Sequence, residues 1–150
     1  MPLIFVLLSI VFDQITDNLK ISYEMVTDIQ KPYVHDGDRY PIDLVHRGDI
    51  VYAHYAATFL KPCRKSTVQM RLIQTAMDEN PKLEGKNEAL LSFPLMMASV
   101  PSGSIEWNEL IEIPARIPVG RYLLRRTSFL TCGINEWSQI YPDIELMIVN

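Results

Sequence analysis

Two cysteines, Cys63 and Cys132, and three histidines, His35, His46 and His54, are the side chains best suited to nucleophilic or metal chemistry here. Cys63 follows a long apolar run and Cys132 closes another. A disulfide between two strands is one reading, pinning two sheets together, and a pair of free thiols is the other. Export favours the bridge and a reducing cytosol the thiols. Neither thiol has the His and Asn company of a catalytic nucleophile. The histidines and Cys63 offer zinc-ligand types, but no pair has the short spacing of a structural zinc site. No metal and no cofactor are therefore expected.

Other candidates are weaker still. Glu106, Glu109 and Glu112 are an acid–base set by type, yet Glu106 and Glu112 share the outward parity of a strand, where glutamates are solvated. Ser102-Gly103-Ser104 lacks the flanking glycines of a hydrolase nucleophile turn. There is no phosphate-cradling glycine loop and no dinucleotide fingerprint. No catalytic residue is assigned, and a hydrolase-type enzyme is the minority expectation. Arg47-Gly48-Asp49 matches the tripeptide read by integrins, but a turn leading into a strand accounts for it. Trp137 and Tyr141 fall in a segment that reads as a loop over residues 133–143, where exposed aromatics serve as a contact surface. Trp107 shares its parity with Ile105 and Ile111 and reads as core.

The elements holding these residues are short and extended. Ten prolines against six glycines punctuate the chain between apolar runs, leaving little room for long helices. Residues 105–132 read as strand, turn and strand: Ile105, Trp107, Ile111 and Ile113 alternate inward, Pro114 and Pro118 interrupt, and Gly120 opens an unbroken run to Cys132. This hairpin is the expected organiser of the fold. Residues 49–60 read as a central strand apolar on both faces. Strands are also expected over residues 21–29, around 41–45, from Val68 onward (with a helical continuation as the alternative) and over 144–149. Residues 78–88 read as a polar loop and 89–100, with Pro94 inside, as an edge strand or covering segment.

Residues 3–12 are apolar apart from Ser9. As a helix they would reach about 15 Å, half of a hydrocarbon core of roughly 30 Å. No Lys or Arg precedes them and no small-residue cleavage pattern follows. An export signal or anchor, an interfacial or partner-bound helix and a buried first element all fit. Ten exposed apolar residues would find a surface, so residues 1–12 are expected to contact a membrane or a partner. Residues 13–18 read as a linker and 19–150 as one domain. Net charge is −4 with no basic stripe, which argues against nucleic acid. A composition 48% hydrophobic and 21% charged suits a folded domain.

The Gly48-Asp49 lead into a long strand, the Pro62-Cys63-Arg64 exit, the Ile-Pro…Ile-Pro-Val-Gly-Arg-Tyr stretch and the distal Cys132 form an ordered set over residues 42–149. That set resembles small phage-encoded accessory proteins with an N-terminal hydrophobic segment followed by an immunoglobulin-like domain. The resemblance implies architecture and envelope residence, not an activity. The expectation is thus an all-β, immunoglobulin-like antiparallel β-sandwich of about seven strands, behind a short apolar N-terminal segment. Its function would be a non-catalytic structural or binding module with a protein partner, membrane-anchored or exported, and facing the periplasm if the source is bacterial or phage. The alternative is a module for a small apolar ligand held near Ala53, Ala57, Met96 and Met97.

Overall fold

Alternating side chains make a run extended, and a proline stops its ladder by withholding a donor. The computed structural model describes residues 25–63, 65–75, 87–97 and 99–150. Among them lie ten strands and no helix: β1 (Val26–Thr27), β2 (Tyr33–His35), β3 (Leu44–His46), β4 (Ile50–Phe59), β5 (Lys65–Gln74), β6 (Glu88–Met97), β7 (Gly103–Glu112), β8 (Gly120–Cys132), β9 (Asn135–Ile140) and β10 (Ile144–Val149).

One sheet is built on β4. It pairs antiparallel with β7 along its full length, from Ile50 opposite Glu112 to Phe59 opposite Gly103. β1 and β2 share its other side. The second sheet runs β3, β10, β8, β5, β6, with β9 beside the far half of β8. β3 and β10 are parallel. The all-β expectation therefore stands, but the described strands number ten rather than seven, and one pair is not antiparallel.

The two sheets face each other across one core. Val51, Ala53, Tyr55, Ala57 and Phe59 of β4 form one wall with Ile111. Met70, Leu72, Tyr122, Leu124, Leu146 and Ile148 form the opposite wall. Of the two apolar faces read for β4, the odd-numbered one is buried in the core. On its outer side only Ala56 is buried, while Ile50 is exposed and Tyr52, His54 and Thr58 are half-exposed.

Residues 105–132 hold two strands, but not a hairpin. β7 belongs to the first sheet and β8 to the second. Pro114 and Pro118 cannot donate to a ladder, so the chain arches across the end of the sandwich between them. Ile113 and Ile117 are buried beneath that arch, and the Tyr122 hydroxyl donates to the Pro118 carbonyl at 2.7 Å.

Residues 133–143 are mostly strand rather than loop. Cys132 lies opposite Asn135, leaving a two-residue turn in which Gly133 takes φ 66°, the left-handed conformation that glycine adopts without strain. β5 stays extended to Gln74, so the helical alternative is not taken. β6 is an edge strand that accommodates Pro94. Of the strand expected over residues 21–29, β1 is the part described. Residues 1–12, 13–18 and most of the polar loop at 78–88 lie outside the described residues.

Cys63 sits in the connection from β4 to β5, with its N–H and carbonyl both paired to Val100 at 2.9 and 2.8 Å. A disulfide joins it to Cys132 across 69 positions of sequence. Lys65 lies opposite Thr131, so the bond ties neighbouring segments at one end of the larger sheet. The reading of two free thiols therefore falls, and the bridge does not pin the two sheets through the core, as the other reading has it.

Candidate contact surface and buried polar core

β8 brings together an inner row and an outer row with different chemistry. Inward, Tyr122 and Leu124 are followed by Arg126 and Ser128 before Leu130 and Cys132 resume the apolar row. Arg126 is 3% exposed and Glu109, facing it from β7, is 8% exposed. The Arg126 Nε and Nη2 both donate to Glu109 Oε1, at 2.8 and 2.6 Å. Its Nη1 donates to the Ser128 hydroxyl. The Trp107 indole N–H reaches the same Oε1 at 3.1 Å.

Three rings complete the enclosure. The guanidinium carbon lies 4.7 Å from the centre of Tyr141, 5.1 Å from Tyr55 and 5.2 Å from Trp107. A cation over an aromatic face is attracted by the ring quadrupole, more so when water is excluded. Burial pushes the Tyr55 and Tyr141 hydroxyls above their ordinary range, with nearby Arg126 opposing it. Glu109, Tyr55 and Trp107 come from one sheet, and Arg126, Ser128 and Tyr141 from the other or its connections. The cluster therefore clamps the two layers together through Glu109 Oε1, while Glu109 Oε2 and the Tyr55 and Tyr141 hydroxyls are buried without a hydrogen-bond partner among the described residues.

Tyr141 was expected on a loop surface, and this placement corrects that. It is 2% exposed and edge-on to Tyr55 and Trp107 at 5.5 and 5.9 Å. Trp107 packs against the core, as its parity implied. Trp137 lies in β9 opposite Leu130, half-buried against the core, and its indole N–H is buried without a partner among the described residues.

Exposed apolar groups lie along the other side of the same hairpin. Ile134 at its tip is 99% exposed, Ile140 61% and Phe129 46%. Thr127 lies opposite Ile140 and Phe129 opposite Ser138, so Phe129 and Ile140 are diagonal neighbours on one face. A shallow depression beside them is lined by Thr67, Phe129, Thr131, Glu136, Trp137 and Ser138. The sequence pattern reads residues 133–143 as a loop, and that reading hides the face Phe129 and Ile140 share.

The remaining candidates take structural places. His35 Nδ1 accepts from the Gly37 N–H at 3.1 Å, so its Nε2–H donates to Asn108 Oδ1 at 2.9 Å. His54 Nδ1 meets the same oxygen at 3.1 Å. Tyr33 and Tyr52 lie against these rings at 4.9 and 5.4 Å. His46 is apart, in the turn with Asp49. Among the described residues no three His, Cys, Asp or Glu side chains are grouped to hold a metal.

Glu109 points inward while Glu106 and Glu112 are exposed on the outer face, so the three do not meet. The Ser104 hydroxyl bonds to Thr58 at 3.0 Å. Arg47 donates to the Ile117 carbonyl and Asn150, and Asp49 accepts the His46 N–H at 2.8 Å, so both side chains of the tripeptide are engaged within the domain. Ala53 and Ala57 line the core, and the side chains of Met96 and Met97 lie outside the described set.

No protein-family model and no curated protein matches this chain. Solved structures similar to it include two that cover most of its length. Spo0M, the sporulation control protein from Bacillus subtilis, matches 85% of this chain and 51% of its own at TM-score 0.50 and 14% identity. This chain thus spans about half the length of Spo0M. The C-terminal domain of Wzt matches over 85% of this chain and 75% of its own, at TM-score 0.53 and 14% identity. At that identity the likeness is one of fold.

Proposed function

We propose that the domain is a non-catalytic binding module that engages a protein partner through the outer face of the β8–β9 hairpin, at a cell envelope or in an assembly of phage type. The observation carrying this reading is the exposed apolar set Phe129, Ile134 and Ile140. Phe129 and Ile140 share one face and Ile134 stands at the turn that ends it; apolar groups so exposed leave water on association, contributing about 25 cal/mol per Å² buried. Trp137, opposite the inward Leu130, packs on the core side and backs this face from beneath.

Envelope residence and export belong to the same proposal. The Cys63–Cys132 disulfide supports them, since such bonds persist in oxidising compartments. So does the apolar composition of residues 3–12 as a membrane contact. An immunoglobulin-like relationship for the sandwich is also part of the proposal, supported by the two facing sheets and the inward Trp107.

The test is a photo-crosslinking residue at position 134 of the full-length protein in its native cells, with position 90 on the far edge as control. The expected result is one discrete adduct from position 134 that is lost in Phe129→Ser/Ile140→Thr. Equal labelling from both positions, or labelling unaffected by the double substitution, overturns the reading. Carbonate washing of the membrane fraction, with and without residues 1–12, tests the anchor separately.

A further inference from the structure

A free strand edge presents unpaired N–H and C=O groups that template another strand, and folded proteins usually blunt it. In this chain β6 carries Pro94 and a register shift opposite Ser66 and Val68. β1, β2 and β3 are two or three residues long and β9 is six. β7 is different. It runs for ten residues with β4 on one side, and no strand among the described residues lies on the other. It contains no proline, lysine or arginine.

The direction of its free groups follows from one bond. Ile113, just beyond β7, donates its N–H to the Asp49 carbonyl at 2.8 Å, on the β4 side. The register from there to Gly103 has no slip. Odd-numbered residues of β7 therefore turn their backbone groups to β4, and Ser104, Glu106, Asn108, Leu110 and Glu112 turn theirs to the open edge. The same five residues place their side chains on the outer face, where all are exposed. Neither Glu106 nor Glu112 is in an ion pair among the described residues.

We infer that β7 accepts an additional strand from an extended protein segment carrying Lys or Arg on the face shared with Glu106 and Glu112. Main-chain bonds to the even-numbered residues would supply affinity, and the two glutamates would select charge. Charge also argues against a second copy of this chain. A symmetric antiparallel pairing centred on Asn108 places Glu106 diagonal to the partner's acidic Glu112, within repulsive reach. This element is separate from the β8–β9 face, so either can fail without the other.

The probe is the capped peptide Lys-Val-Thr-Val-Val-Val-Lys, whose lysines are spaced to lie opposite Glu106 and Glu112. Its control has glutamate in place of both lysines. With isotope-labelled full-length protein at low ionic strength, the lysine peptide should slow amide exchange at Glu106, Asn108 and Leu110 and leave β9 unchanged. Glu106→Lys/Glu112→Lys should weaken its binding about tenfold and favour the glutamate peptide instead. Leu110→Pro removes one outward N–H and should lose binding. Should that variant fail to fold, the exposed charge reversal still decides. Absence of protection at those amides, equal binding of both peptides, or concentration-dependent protection without peptide would each overturn the inference.

Discussion

Arg126 and Glu109 form the most buried ion pair among the described residues, and so the costliest to leave half made. A buried charge loses its hydration, and only its partners offset the loss. Arg126→Ala would leave the Glu109 carboxylate enclosed by Tyr55, Trp107 and Tyr141, at a cost of about 3–5 kcal/mol. Glu109→Leu/Arg126→Met removes both charges and should be closer to wild type than Arg126→Ala alone. Urea unfolding of the three proteins checks this, and a double variant less stable than Arg126→Ala would refute the clamp. Tyr55 gives a second handle, because its buried hydroxyl has no partner among the described residues. Burial raises it above the ordinary tyrosine value of about 10, so the folded state holds that proton more tightly than the unfolded chain. The resulting stability is whole below about pH 10 and falls as pH rises beyond it. Tyr55→Phe should be near neutral at pH 7 and flatten the alkaline loss, read from urea midpoints at pH 8 and pH 11. Part of this site was legible. Glu109 shares inward parity with Trp107 and Ile111, and Arg126 shares it with Tyr122 and Leu124, so each is a charge out of place in an apolar row. That the two rows face each other is a property of sheet packing, and nothing in either row alone announces it.

The strands with clean alternation, β4, β5, β7, β8 and β10, lie close to where side-chain period and proline placement put them. Connections were harder to read. A strand, two prolines and a strand fit a hairpin within one sheet as well as an arch between two, because both leave the prolines outside the ladders. The arch follows from burial of Ile113 and Ile117 at the end of the core, which only the partner sheet reveals. β9 is hard to read for the opposite reason: its two apolar residues, Trp137 and Ile140, have opposite parity, and the polar residues around them resemble a loop. The turn that makes it a strand is short and depends on Gly133 at φ 66°. A β-branched residue there meets the left-handed penalty of about 1–2 kcal/mol, so Gly133→Val should lower stability by that amount and Gly133→Asn by less. Thermal unfolding measures the cost. Amide exchange should locate it by faster exchange in β9 while β5 and β10 remain protected. Uniform loosening across the sheet would show that the turn is not the local determinant.

At the scale of the whole molecule, one core holds two sheets, and the disulfide closes the larger sheet at the end away from the arch. Cys63 and Cys132 are 69 positions apart in sequence, so the bridge removes much of the freedom of the unfolded chain. Loop-closure entropy puts that near 4 kcal/mol. Two buried cysteines joined at the end of a sheet leave the strands on either side paired through their own backbones. Reduction should therefore lower stability without dissolving the fold at moderate temperature. With a urea dependence of about 2 kcal/mol per M for a domain of this size, dithiothreitol should move the unfolding midpoint down by about 2 M. Cys63→Ser/Cys132→Ser should show the same midpoint with or without reductant. The slope of the transition is informative too, since an opened loop lets the unfolded chain expose more surface and steepens it. A wild-type midpoint indifferent to reductant would mean the bond contributes nothing to the folded state. It would also withdraw the support that the disulfide lends to an exported, envelope-resident protein, leaving that proposal on the apolar residues 3–12 alone.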